Sequence, residues 1–479
     1  MTYGWRNGCL ALAVAAAVVP AAWGQTTSPM LESQLSSNKI APDGGKPEPT
    51  LEETINQIKH PFQGFTWGAD QRIRHEYLNN HYPLNQQIHG HEYDYERERT
   101  RIWASYSPCE FIELNARLAW EWRQWENTPP GKVSNDWSHV TTDIFNFKIK
   151  MPQINSSLTV GRQEIFLGDG WLVADGTPLD GSTTLYFDAA RFNMNAKDIQ
   201  TTFDAIYINQ YADNDKWLPT INDDDKQQME QDEKGVVLYA SNKSLQDTTI
   251  DGYLIYKHDK AVLPYIVPGS HGGNSADMYT VGSRAEHLFD EHWKGRIEGA
   301  YQFGDKNSLP LSAWGTIGRL TYMFNDVYKN QLFLNGEALS GRRTGAGTDQ
   351  MFDPLWGRWP QWSELYVYTY RPETRVGETT NLMRLGPGYQ ITPAKNLTFT
   401  TTYNALWAMQ TPQANTTNGG MKFGDGNFRG HLFTGNVKYK FNSHLAGHLW
   451  AEYFLPGTYY AQPSNDGAVF LRAEMVLTF

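Results

Sequence analysis

The sequence predicts an all-β fold: a transmembrane outer-membrane β-barrel of about 18 antiparallel strands, with short periplasmic turns and long outer loops. Three observations predict it. The chain opens on an export signal, alternates polar and apolar residues with a period of two from residue 64 onward, and stops on an aromatic residue, Phe479. Composition points the same way. Only 19% of the 479 residues are charged, while 17 Trp, 26 Tyr and 22 Phe are far too many for a solvated coil. Mean hydropathy is -0.57, and no apolar run after residue 30 approaches the roughly 20 residues of a membrane helix. A net charge of -11 without a long basic run argues against nucleic acid as a partner.

Residues 1–24 read as a signal peptide, with Arg6, an apolar stretch from Leu10 to Val19, and small residues Ala22 and Gly24 flanking Trp23 before the cut. Its removal leaves Cys109 as the single cysteine, so no internal disulfide is expected even on an export route that permits them. Residues 25–61 form a polar leader with one or two short amphipathic turns around Leu51, Ile55 and Ile58 and no fold of its own. Residues 62–479 are the barrel.

A strand sends successive side chains to opposite faces. From Ile112 to Trp122 the even positions are Ile112, Leu114, Ala116, Leu118, Trp120 and Trp122, and the odd ones include Glu113, Asn115, Arg117 and Glu121. Comparable segments fall near 64–78, 96–107, 110–123, 143–151, 157–167, 184–194, 199–211, 234–242, 249–257 and 278–288. They continue at 293–304, 312–324, 330–340, 364–371, 381–391, 396–409, 430–442, 445–455 and 468–479. That is one more than an even count, and bacterial barrels are even. Short turns (Ser107 to Cys109, Asn195 to Asp198, Asn325 to Val327, Asn442 to His444) stay in phase with long loops only if Gly341 to Thr380 is a single outer loop containing 364–371. Counts two lower or two higher are the neighbouring alternatives.

The last segment places Val469, Leu471, Ala473, Met475, Leu477 and Phe479 on one face. Phe479 is therefore the expected handle for the barrel-assembly machinery, and outer-membrane lipid the surrounding partner. Trp103, Trp120, Trp122, Tyr322 and Tyr439 are expected at the headgroup levels.

A barrel of this size encloses water rather than a packed core. Its polar face is mildly basic, while acidic residues concentrate outside the strands. Arg72, Arg74, Arg97, Arg99, Arg101, Arg117, Lys148 and Lys150 fall on neighbouring early strands, interrupted by Asp70, Glu113 and Glu121, and Arg296 adds to the polar face further along. Such a ladder attracts anions and passes them between weak sites. It equally suits a general or carboxylate-selective diffusion porin, in which arginines order water and brace the wall.

Tyr95 to Trp125 (YERERTRIWASYSPCEFIELNARLAWEWRQW) resembles the paired early strands of the alginate-export family of outer-membrane channels. Leu158 to Phe192 is closer: Gly161-Arg162-Gln163-Glu164, Gly168-Asp169 and Phe187-Asp188-Ala189-Ala190-Arg191 resemble that family's strand–loop–strand unit, and Phe352 to Trp356 is a weaker echo. The resemblance implies a monomeric barrel whose narrow, arginine-lined lumen passes a linear anionic polysaccharide, with periplasmic export components as further partners. By motif position it marks Arg162 and Arg191, with Asp188 as a charge partner. The residues themselves put Arg162 on the parity of Leu158 and Val160, so a lumenal Arg162 requires a bulge at Gly161.

Other chemistry is tempting and weaker. The loop 211–233 carries Asp213, Asp215, Asp223, Asp224, Asp225, Glu230, Asp232 and Glu233; it lacks the spacing of a helix–loop–helix Ca²⁺ site and reads as a solvated acidic lid. His75, His81, His89 and His91 around the first outer loop read as polar filler rather than metal ligands. His448 beside Glu452 has no recognisable nucleophile, so neither enzyme activity nor a cofactor is expected. A purely structural barrel is disfavoured on the expectation of a lumen face charged throughout instead of plugged by apolar residues.

Overall fold

The computed structural model describes residues 51–81, 84–128, 134–136, 140–174, 186–212, 217–222, 231–261, 275–343, 345–357, 360–365, 379–411, 417–418 and 421–479. The expected signal peptide lies outside them. Of the leader, Leu51–Lys59 forms a helix, α1, where one or two amphipathic turns are expected; Lys59 in its last turn suits the negative end of the helix dipole. The second compact unit runs from Phe62 to Phe479.

That unit is a closed antiparallel barrel of eighteen long strands among the described residues. They are β1 (Phe65–Asn79), β2 (Glu92–Cys109), β3 (Ile112–Trp125), β4 (Thr141–Met151), β5 (Ser156–Gln163), β6 (Phe187–Ala196), β7 (Thr201–Gln210), β8 (Glu233–Asn242) and β9 (Thr248–Asp259). The second half comprises β10 (Ala276–Leu288), β11 (Trp293–Lys306), β12 (Leu309–Met323), β13 (Gln331–Leu339), β14 (Leu382–Ala394), β15 (Leu397–Trp407), β16 (Phe428–Lys440), β17 (Leu445–Pro456) and β18 (Ala468–Thr478). Each strand pairs with its chain neighbours. The seam is β1 on β18, from Asp70 opposite Thr478 to Asn79 opposite Val469. Just beyond β18, the Phe479 backbone N–H donates to the Ala69 carbonyl at 2.8 Å and its ring packs 5.2 Å from Trp67.

Two connections differ from the expected ones. β2 continues through Ser107–Cys109, so the first short turn is Glu110-Phe111; the ladder shifts between Tyr106 and Cys109, where Pro108 has no N–H to offer. The outer connection between β11 and β12 shrinks to Asn307-Ser308, at φ 55° and 62°, the left-handed pair that matches the twist of a tight hairpin. The segment 364–371 lies in the β13–β14 loop as far as it is described.

Alternation sorts the two faces as expected. Leu114, Leu118, Leu238, Leu254, Leu449 and Leu477 are exposed toward lipid, where a strand must satisfy its backbone through its neighbours. Trp293, Tyr322, Tyr439 and Phe441 make ring contacts near the short-turn end. Trp103 departs from the expected headgroup position: it shares the inward parity of Arg97, Arg99 and Arg101 and lines the lumen. Gly68, its partner on β1, makes room, since a Cβ there would lie 2.7 Å from the indole.

The lumen is not charged throughout. Two outer loops fold inward and place apolar side chains inside the barrel: Ile165, Trp171, Leu172 and Val173 from the β5–β6 loop, and Phe352, Leu355 and Trp356 from the β13–β14 loop. The Trp171 and Phe352 rings stack at 5.2 Å, and the Trp356 N–H donates to the Leu172 carbonyl at 3.0 Å.

Candidate functional site

The first sector of the wall is built from β18, β1, β2 and β3. The register sets Arg72 opposite Arg99 and Arg74 opposite Arg97, so like charges crowd one inward face. Carboxylates from adjoining strands resolve the crowding. Glu121 accepts from Arg72 at 2.9 Å and Arg97 at 2.8 Å; Glu474 accepts from Arg74 at 2.7 Å. Asp70 accepts from Arg101 at 2.9 Å and Arg99 at 3.4 Å. Glu76 accepts from Arg74 at 3.3 Å and Arg472 at 2.7 Å. Arg72, Arg74, Arg97 and Arg99 are buried. The ladder exists, and its charge is largely spent within the wall.

The remaining predicted residues divide. Arg117 is inward but clamped between Asp143 at 2.9 Å and Glu164. Lys150 pairs with Glu113 at 2.5 Å, and Arg191 with Asp204 at 2.8 Å. Lys148 lines the same lumenal recess as Arg101 and Arg191, with no ion pair or hydrogen bond of its side chain among the described residues. Arg296 grips Asp169 of the β5–β6 loop at 2.8 Å, beside Arg284 at 2.9 Å. It therefore faces the lumen and anchors the inward loop.

Arg162 and Asp188 do not line the lumen. The β4–β5 register runs through Gly161 without a shift, so no bulge reverses the parity, and Arg162 stays opposite the exposed Phe145. Gly161 has φ 121° and approaches the Phe145 carbonyl so closely that a Cβ would be 2.3 Å from it. On the outward parity, Arg162 is 1% exposed, bonded to Asp188 at 2.9 and 3.0 Å, to the Thr142 carbonyl at 2.8 Å and to the Trp217 carbonyl at 3.3 Å. Its guanidinium lies 3.7 Å over the Tyr186 ring. The motif pair is a clasp that fastens the 217–221 segment over the outer rim.

The opposite wall, β11 to β17, encloses a cavity of about 420 Å³ beneath the inward loops. Trp171, Phe352 and Trp362 from the loops face Phe333 and Trp450 from the wall across it, among Asn335, Asn404, Asn436 and the threonines 398, 400, 402 and 434. Four cations line it: Arg296, Arg319, Arg384 and Lys438. Arg384 is held by Glu337 at 3.2 Å and Asn404 at 3.0 Å. Arg319, opposite Arg296 in the register, makes neither an ion pair nor a hydrogen bond among the described residues and rests 3.7 Å over the Phe333 ring. Lys438 likewise has no carboxylate partner there. Sequence reasoning missed Arg319, a single cation on its strand, and Lys438, which lies between Arg429 and Lys440 in no evident cluster on the inward face.

The loops are tied to the barrel wall by polar contacts. The Asp353 carboxylate accepts from Lys306 at 2.5 Å, the Asp353 carbonyl accepts from Gln302 at 2.7 Å, and the Trp356 indole donates to Glu233 at 3.0 Å. Lys257 donates to Asp259 at 3.1 Å and to the Leu355 carbonyl at 3.3 Å. Ser363 donates to Glu452, and Arg472 holds Glu364 at 2.9 Å. Glu452, weighed as a partner for His448 in an enzyme, is thus a loop anchor, while His448 faces Glu474 at 3.3 Å.

Among the described residues no cluster of His, Cys, Asp or Glu has metal-binding geometry. His81 is buried in the first outer loop; loss of solvation, with His91 nearby, pushes its imidazole down to about 3, so it stays neutral. Much of the acidic loop 211–233 lies outside the described residues.

A closed eighteen-strand barrel with a polar, loop-narrowed lumen is a porin-like channel of the bacterial outer membrane. Solved structures share this fold. OccK2 (OpdF) of Pseudomonas aeruginosa aligns with a TM-score of 0.54 and 10% identity, over 87% of this chain and all (100%) of that one. OpdK of the same organism, solved with vanillate, aligns with a TM-score of 0.52 and 11% identity, over 86% of this chain and 98% of that one. None of the curated proteins compared matches the chain. The chain belongs to the alginate export family, which matches residues 66–468.

Proposed function

We propose that this channel passes anionic oligo- or polysaccharide, drawn through the lumen by basic residues that the wall itself does not neutralise. The observation that carries the reading is the pair Arg319 and Lys438 beside a lumenal cavity that also presents tryptophan rings and amide and hydroxyl groups. Uronate residues offer carboxylates for the cations, hydroxyls for the asparagines and threonines, and apolar ring faces for the indoles. Family membership supports the same cargo class. No catalytic or cofactor role enters this reading; export partners in the periplasm and assembly through Phe479 accompany it.

The test is single-channel recording in planar bilayers. Anion-selective reversal potentials at low salt, with block by polyuronate at concentrations where a neutral glucan has no effect, are the expected result. Cation selectivity, or equal block by both polymers, overturns the reading. A second reading, a carboxylate-selective diffusion porin, draws on cavity size: about 420 Å³ suits a small ligand. OpdK was solved with such a carboxylate. Vanillate flux without polyuronate block would favour it.

A further inference from the structure

Across the lumen from the cavity of Arg319 and Lys438, a second recess of about 560 Å³ opens in the wall of β2 to β6. Its central strand, β4, lies half a turn of the eighteen-strand barrel from β13. The two recesses share a level. Lys148 and Asn193 are each fourth from the end of their strands, β4 and β6, and Ser157 is second in β5. In the cavity opposite, Thr398 is second in β15 and Lys438 is third from the end of β16. Both recesses therefore border the vestibule at the short-turn end, which in an outer-membrane barrel is the periplasmic end.

Most charges of the second recess are matched within the wall: Arg101 by Asp70, and Arg117 by Asp143 and Glu164. Two cations keep donors to spare. Lys148 stands opposite Glu113 in the register, but Lys150 holds that carboxylate at 2.5 Å and Asn115 donates to it at 3.1 Å. Two lysines thus face one carboxylate. Arg191 gives its Nε–H to Asp204 at 2.8 Å and makes no other side-chain hydrogen bond among the described residues, so both terminal amino groups of its guanidinium are open. Thr159 sits between the two, opposite Lys148 on β4 and Arg191 on β6, and its hydroxyl has no hydrogen bond there. All three side chains are half-buried. Adjacent strands are about 4.8 Å apart, so side chains as long as Lys and Arg meet over the threonine between them.

We propose that this recess is a second uronate-binding subsite. Lys148 and Arg191 hold the carboxylate of one sugar, the Thr159 hydroxyl donates beside them, and Trp103 at the β2 edge offers its ring to the apolar face of a neighbouring sugar. A chain long enough to reach both walls occupies both recesses at once. Linked occupancy raises affinity without any new contact, provided the chain spans the two sites. The vestibule thereby favours polymer over short fragments. The inference rests on the cargo reading above and adds chain-length selection to it.

The test is block of the full barrel in planar bilayers by a uronate dimer and a uronate decamer. The variants are Lys148→Gln and Thr159→Val, neither of which strands a bonded partner, and heat-modifiable mobility checks their folding. The dimer fits either wall by itself, so each variant should change its block by less than about twofold. The decamer draws on both walls, and Lys148→Gln should weaken its block at least about fivefold, within what one charge-assisted contact supplies. Lys148→Arg should restore it. Thr159→Val should weaken decamer block with the reversal potential unchanged, because no charge is lost. Decamer block altered less than about twofold in both variants, or dimer and decamer weakened equally, overturns the subsite and leaves the cargo reading standing. A parent channel that neither oligomer blocks overturns the cargo reading and the subsite with it.

Discussion

Arginine lines both sides of this lumen, in different company. On β18, β1, β2 and β3, Arg72, Arg74, Arg97 and Arg99 are buried against Asp70, Glu76, Glu121 and Glu474. On β11 to β16, Arg319 and Lys438 face a cavity with no carboxylate partner among the described residues. A cation already bound to a carboxylate presents little field to a passing ion. One that is unpaired in a confined aqueous space presents most of its charge. The richer arginine cluster therefore braces the wall, and the sparser one is better placed to select.

The comparison breaks most visibly if the braced sector is tested for folding. Replacing Arg97, Arg99 and Arg101 together by Gln strands Asp70 and leaves Glu121 with Arg72 alone, and breaking a buried pair costs about 3–5 kcal/mol. The expected outcome is loss of the heat-modifiable folded band and a lower urea midpoint in detergent. A triple variant that folds normally and shifts the reversal potential would reverse the roles of the two walls. Arg117→Gln belongs with this group, since it releases Asp143 and Glu164. It should destabilise about as much as Leu118→Arg on the lipid face, where a charge costs about 2–4 kcal/mol.

Arg319→Gln tests the opposite wall and should leave the folded fraction unchanged. One unit charge at 4 Å in water is worth about 1 kcal/mol, so the anion-to-cation permeability ratio at low salt should fall about fivefold. Lys438→Gln, on a longer and more mobile stem, should give a smaller shift in the same direction. The smallest expected effect sharpens the mechanism. At 1 M salt the Debye length is about 3 Å, and both variants should then approach the parent in reversal potential. A difference that persists at 1 M would point to a bound site instead of a screened field.

Much of this was legible in the chain. A period of two needs no tertiary information, so the strands, the inward parity of Arg72 to Arg101 and the seam at Phe479 follow from local sequence. The count of strands followed from turn lengths, because a barrel alternates its short and long connections. Parity even held the answer for Arg162: the residues placed it with Leu158 and Val160, the family motif suggested the lumen, and the unshifted β4–β5 register shows that parity decided.

Partnership across strands was not legible. Arg74 and Glu474 are 400 residues apart and meet only because β18 closes onto β1. Whether a lumenal arginine is spent or available depends on such neighbours. So does the placement of Trp171, Phe352 and Trp356, whose loops have no periodicity to betray that they turn inward and meet Glu233, Gln302 and Arg284 on distant strands. Local sequence was enough for the barrel and for the inward parity of strand residues such as Arg72 and Arg97, because backbone geometry imposes the alternation residue by residue. Which of those charges remain to act on a passing molecule follows from the closed fold alone, because charge neutralisation is set by distance through space.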